Sequence, residues 1–118
     1  ELVGELGLAA AVTLAGHQPN PYVVLAHSDC FVLSSDYEGQ PMVLLEALIL
    51  GLPIVTTDFG SVRGAVPDGY GLIVPRTVDD LAAGMTAFLD GEVPTREFDC
   101  AAYNRDAMAE VYRAIGAA

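Results

Sequence analysis

Apolar residues fall in short, nearly unbroken runs, and turn-forming residues separate them. Residues 30–35 (Cys-Phe-Val-Leu-Ser-Ser) and 53–57 (Pro-Ile-Val-Thr-Thr) show no alternation of apolar and polar positions. Such runs suit parallel strands covered on both faces. Two more strands are predicted. One is residues 11–15, with Val12 and Leu14 as its larger apolar side chains and Gly16 at its end; the other is Leu72-Ile73-Val74, between Gly71 and Pro75. Helical patterns lie between them. Residues 1–10 read as the remnant of a helix. Asn20 before Pro21 is a helix-start signal, so residues 22–26 read as a short helix. Residues 41–50 carry an apolar stripe of Leu44, Leu45, Leu48 and Ile49, and Gly51 stops them. Residues 61–66 read as a turn or short helix. Thr77-Val78-Asp79-Asp80 resembles a capping box with Asp in place of Glu and opens a helix running to about Leu89. Asp99 caps a last helix that reaches Ile115 and stops at Gly116. Along it Tyr103, Met108, Val111, Tyr112 and Ile115 recur at helical spacing, the pattern of a packing face.

Short strands alternating with helices predict the α/β class: a Rossmann-like parallel sheet with flanking helices. The pattern divides near Gly91, giving a domain over residues 1–91 and a linker and helix over residues 92–118. Ligands of such sheets sit beyond the carboxyl ends of the strands. That edge collects Gly16, Ser34, Ser35, Glu38, Gly39, Gln40, Thr57 and Asp58.

Composition narrows the function. The chain has 118 residues, the size of one domain, and 53% of them are hydrophobic. Sixteen acids face five arginines and no lysine, for a net charge of −11. That balance argues against nucleic acid, whose binding needs cations to replace counterions, and against an anionic membrane surface. No apolar run reaches the roughly 18 residues of a membrane span; residues 44–55 come nearest, and Glu46, Gly51 and Pro53 interrupt them. No signal peptide is visible, and the start reads as that of an excised fragment. Cys30 and Cys100 have no metal-ligand spacing. Cys30 reads as a small core residue, Cys100 as a thiol near a helix start, with a disulfide left open. A reducing cytoplasm is the default compartment.

Candidate chemistry concentrates in Glu38-Gly39-Gln40-Pro41-Met42-Val43-Leu44-Leu45-Glu46, where seven residues separate two glutamates. Pro41 fits the first helical position, where its missing N–H has no partner to lose. The N–H groups of Met42 and Val43 are then expected to point out of the helix start unpaired. Free donors and the positive end of the helix dipole attract anions, the dipole contributing about 0.3–1 kcal/mol. Gly39 permits close approach to the backbone. Glu46 lies about one and a half turns into the helix, and a carboxylate there can accept two hydrogen bonds from a diol such as ribose. Glu38 is free to meet another part of the same ligand. The plain alternative is an exposed loop acid and a solvated helix acid. Against it, Glu46 interrupts a largely apolar helix, and a half-buried charge without a partner is expensive.

The ordered set of motifs resembles the C-terminal, donor-binding half of retaining GT-B glycosyltransferases of the large family-four type. The matches are residues 12–16, Tyr22, His27-Ser28-Asp29-Cys30-Phe31-Val32-Leu33-Ser34-Ser35, Glu38-Gly39, Glu46-Ala47-Leu48, Gly51-Leu52-Pro53-Ile54-Val55, Thr57-Asp58 and Gly71-Leu72-Ile73-Val74-Pro75. They cover about residues 5–90. The resemblance implies that Glu38 is catalytic, contacting hydroxyls of the transferred sugar and placing its anomeric carbon. It implies a donor site of Gly16, Ser35, Glu38, Gly39, Gln40, Pro41, Met42, Val43, Leu44 and Glu46. In it the backbone of residues 39–43 holds the diphosphate, Leu44 lies near the nucleoside and Glu46 takes the ribose hydroxyls. It implies no metal and no cofactor, the nucleotide sugar being a substrate. It also implies that an acceptor (glycan, lipid or wall polymer) binds an absent N-terminal domain, and that the enzyme is cytoplasmic or at the inner face of a membrane through that domain. The cationic pair that clamps the donor phosphates, and the first two strands of this half, would precede residue 1, so the segment alone should be inactive.

The sequence departs from the family at Ser34, at Gln40-Pro41 and at Gly60-Ser61-Val62-Arg63-Gly64, where a glycine-glycine-x-proline-glutamate pattern is usual. Two other functions fit the same fold: a non-catalytic nucleotide- or partner-binding module, and a nucleotide-sugar epimerase. Asp58-Phe59-Gly60 mimics the kinase metal-binding triplet, but no histidine-arginine-aspartate loop precedes it. His17 and His27 read as structural, although His17 follows the glycine that ends a predicted strand.

Overall fold

In the computed structural model, which describes residues 2–116, three parallel strands form one sheet in the order β1-β2-β3. They are β1 (Phe31–Leu33), β2 (Ile54–Thr57) and β3 (Leu72–Val74). Phe31 pairs with Ile54, and Val55 with Leu72. The helices are α1 (Leu2–Glu5), α2 (Tyr22–Ala26), α3 (Met42–Ile49), α4 (Val62–Ala65), α5 (Val78–Leu89) and α6 (Cys100–Gly116). The architecture is α/β and Rossmann-like, as the alternation of strands and helices predicts.

The unbroken apolar runs explain the layers. β2 is central, and all four of its residues are buried. On one face of the sheet, Leu44, Ala47 and Leu48 of α3 and Val62 of α4 pack with Ile54 and Phe59. On the other face α5 comes so close that a Cβ on Gly84 would stand 2.8 Å from Val55 Cγ1 and 3.1 Å from Val74 Cγ1. Helix ends follow the local code. At the end of α3, Gly51 adopts φ +72° and Leu52 N–H donates to Ala47 O at 3.0 Å, closing a left-handed cap. Thr77 accepts a bond from Asp80 N–H at 3.0 Å and starts α5. Asp99 Oδ1 accepts from Ala102 N–H at 2.9 Å and starts α6.

Three expectations fail, each for a physical reason. Residues 11–15 are not a strand. No strand lies beside them among the described residues, so their N–H and C=O groups have no ladder, and Leu14 is 78% exposed. The predicted helix over residues 1–10 shrinks to α1 and a set of turns, because Gly7 at φ +69° ends it; Glu1 lies outside the described residues. The apolar spacing on α6 finds a surface to pack on only at the helix base among the described residues. Tyr103 packs against Phe98 with ring centroids 5.5 Å apart, but Met108, Val111, Tyr112 and Ile115 are exposed.

Candidate functional site

β1 and β2 both deliver the chain to the carboxyl edge of the sheet, and three hydroxyls converge there on the loop before α3. Thr57 Oγ1 donates to Ser35 O at 2.5 Å. Ser35 Oγ donates to Glu38 Oε1 at 2.8 Å. Ser61 Oγ, from the start of α4, donates to Glu38 O at 2.9 Å. Thr57 is 4% exposed, so this chain of bonds is rooted in the core. Glu38 is half-buried, with one carboxylate oxygen held.

The start of α3 differs in detail from expectation. Pro41 is the cap residue, not the first helical one, with φ −79° and ψ 76°. Those angles form an inverse γ-turn, in which Met42 N–H donates back to Gln40 O at 2.9 Å. Met42 is therefore not a free donor. Val43 N–H pairs with no backbone carbonyl among the described residues, so it alone of the expected pair is without a backbone partner there. Leu44 is fully buried in the core, which leaves only its backbone for any ligand.

Glu46, on α3, is half-buried and has a partner that its sequence context did not reveal. Tyr22 Oη of α2 donates to Glu46 Oε1 at 3.1 Å. That hydrogen bond, then the charge of the same carboxylate, raises the Tyr22 pKa above its ordinary value.

Two clefts flank the start of α3. Gly39, Gln40, Pro41 and Met42 line one of about 110 Å³, together with Ser61 and Tyr103. Gly16, His17 and Val43 line another of about 610 Å³, with Val24 and Phe31. Only the second has the volume usual for small-molecule sites, about 300–1,000 Å³. Ser35, Glu38, Leu44 and Glu46 line neither, so the predicted site residues surround one helix start without sharing one cavity. Cations contribute little here. Arg63 pairs with Asp58 at 2.6 Å on the surface, and Arg76 Nη1 donates to Asp36 O at 3.1 Å. Sequence reasoning missed Ser61 and Tyr103 as cleft residues; a serine two positions beyond Phe59 at a strand-to-helix turn was the available signal for the first.

The profile of the family described as "Glycosyl transferases group 1" matches residues 1–106. The chain belongs to this family. A protein of Methanocaldococcus jannaschii named as an uncharacterized glycosyltransferase is 50% identical over 58 residues, covering 49% of this chain and 14% of its own length. The lipopolysaccharide 1,6-galactosyltransferase of Salmonella typhimurium is 31% identical over 96 residues, covering 75% of this chain and 27% of its own. The alpha-D-kanosaminyltransferase of Streptomyces kanamyceticus is 28% identical over 133 residues, covering 98% and 34%. The chain thus spans about a third or less of these relatives. In this glycosyl transferase group 1 chain, no described helix is long and apolar enough to cross a membrane.

Proposed function

We propose that this chain is the donor-binding part of a glycosyltransferase that moves a sugar from a nucleotide sugar to an acceptor with retention of configuration. One observation carries the reading beyond family membership. Glu38 precedes α3 in the chain and Glu46 lies within it, and each carboxylate already accepts a hydrogen bond from a hydroxyl, Glu38 from Ser35 and Glu46 from Tyr22. Carboxylates so placed suit a ligand with several hydroxyls, and hydrogen bonds to a charged acceptor contribute about 1.5–3 kcal/mol each.

In the proposed reaction the bond from the sugar's anomeric carbon to the diphosphate breaks. A bond to an acceptor hydroxyl forms on the same face, and the acceptor's proton passes to the departing phosphate oxygen. Glu38 holds sugar hydroxyls, and Glu46 takes the ribose once Tyr22 yields. The backbone of Gly39, Gln40, Pro41, Met42 and Val43 faces the diphosphate, Leu44 backs the nucleoside through its main chain, and Gly16 and Ser35 border the ligand. Catalysis of this kind rests on positioning and on stabilising the leaving group. The donor is a substrate, so no cofactor is needed. With a net charge of −11, the cations that balance the diphosphate come from elsewhere in a longer polypeptide, as does the site for a glycan, lipid or wall-polymer acceptor. This segment alone is then inactive.

The test uses the intact polypeptide. Glu46→Ala should raise the donor KM about tenfold or more, in line with losing a charged hydrogen bond. Glu38→Ala should slow turnover by about two orders of magnitude. Full activity in both variants defeats the assignment. Nucleotide binding without transfer points to the binding module, and isomerised donor in an incubation without acceptor points to the epimerase.

A further inference from the structure

We propose that Ser61, with Thr57 and Ser35, positions Glu38 for the transfer step, which makes the turn between β2 and α4 part of the catalytic apparatus. The inference rests on the proposed reading of Glu38 as the residue that places the transferred sugar.

The telling observation is what Ser61 leaves undone. It occupies the cap position of α4, where a serine side chain ordinarily accepts a backbone N–H of its own helix. Ser61 makes no such bond. Its hydroxyl turns away and donates to the main-chain oxygen of Glu38, 23 residues earlier in the chain, at 2.9 Å. Glu38 is thereby held at two points, by Ser61 at the backbone and by Ser35 at Oε1. Ser35 is fixed in turn, because Thr57 Oγ1 holds its carbonyl at 2.5 Å from a buried strand position. Two segments far apart in sequence, one holding Ser35 and Glu38 and the other Thr57 and Ser61, are thus tied together, and only Ser35 touches the carboxylate itself.

The loop needs such a tether. Between β1 and α3 its neighbours Asp36, Gly39 and Gln40 are exposed and Tyr37 is 84% exposed, so packing fixes little of it. The Arg76 bond to Asp36 O secures its near end only. A carboxylate on a loop loses direction when the tether goes, and a displacement of about 1 Å at a reacting centre can cost about a hundredfold in rate. Ser61 also lines the smaller cleft beside Gly39 and Met42, two of the residues whose backbone is proposed to face the diphosphate.

The experiment measures kcat and donor KM in the intact polypeptide for wild type, Ser61→Ala, Ser61→Thr, Thr57→Val and Glu38→Ala, with thermal unfolding of each. Ser61→Ala should lower kcat about tenfold, move KM less than twofold and lower Tm only slightly, since one hydrogen bond but no helix cap is lost. Ser61→Thr should restore most of the rate. Thr57→Val should lower kcat in the same direction; where it also lowers Tm, the Ser61 pair decides. Wild-type kcat in Ser61→Ala beside a slow Glu38→Ala overturns the positioning role and leaves the reading of Glu38 standing. A rise in KM at constant kcat for Ser61→Ala also overturns it. Wild-type turnover in Glu38→Ala sinks the underlying reading, and the inference with it.

Discussion

Tyr22 and Glu46 form a pair whose behaviour with pH can be read directly. The pKa of Tyr22 is raised from 10.0, first by its hydrogen bond to Glu46, then by the charge of that carboxylate and by slight burial. A raised folded-state value means that the bond's contribution is fully present below pH 10.0 and is lost as pH climbs through the folded value. By NMR the Tyr22 ring should titrate above 10.0, and Glu46→Gln should bring its midpoint back down. The sequence announced the two glutamates through their placement around a helix start. It did not announce their partners, because Tyr22 lies 24 residues from Glu46 and Ser61 lies 23 from Glu38. Leu44 shows the same limit: a position implied to be near a ligand is also a core position, and packing claimed its side chain.

Elements whose pattern depends only on neighbours along the chain were legible. β1, β2, β3, α3 and α5 all fall within the predicted runs, and Gly51 ends α3 as expected. The strand that failed, residues 11–15, needed a partner strand that local sequence cannot supply. Close packing between elements was not legible either, and Gly84 is the clearest instance. In an open helix, alanine would gain about 0.8–1 kcal/mol over glycine. Here the new methyl meets Val55 and Val74 in the core, with Val55 fully buried and unable to move aside. Overpacking of this kind costs about 1–3 kcal/mol, so Gly84→Ala should be net destabilising. Urea unfolding of the variant should show a lower midpoint at unchanged slope.

Seen whole, the molecule is elongated, 59 × 31 × 27 Å, and α6 has no buried residue. Its base is fixed where Phe98 packs between Tyr70, edge to face at 5.8 Å, and Tyr103, tilted at 5.5 Å. Beyond that point its apolar side chains have nothing to cover them among the described residues. Amides of residues 106–116 should therefore exchange with deuterated solvent much faster than those of β2, which lies at the stable end of the range. β1 has its own consequence. It sits at the rim of the sheet, with no strand on its outer side among the described residues, and Phe31, Val32 and Leu33 bring no charge or proline to guard it. Unguarded rims of this kind template pairing with other molecules. Copies of this segment carry a charge of −11 each, whose mutual repulsion reaches only about 10 Å in 0.1 M salt and about 3 Å in 1 M. Colloidal behaviour should accordingly invert the usual salting-in trend: dispersed at low ionic strength, and self-associating by light scattering as salt is added.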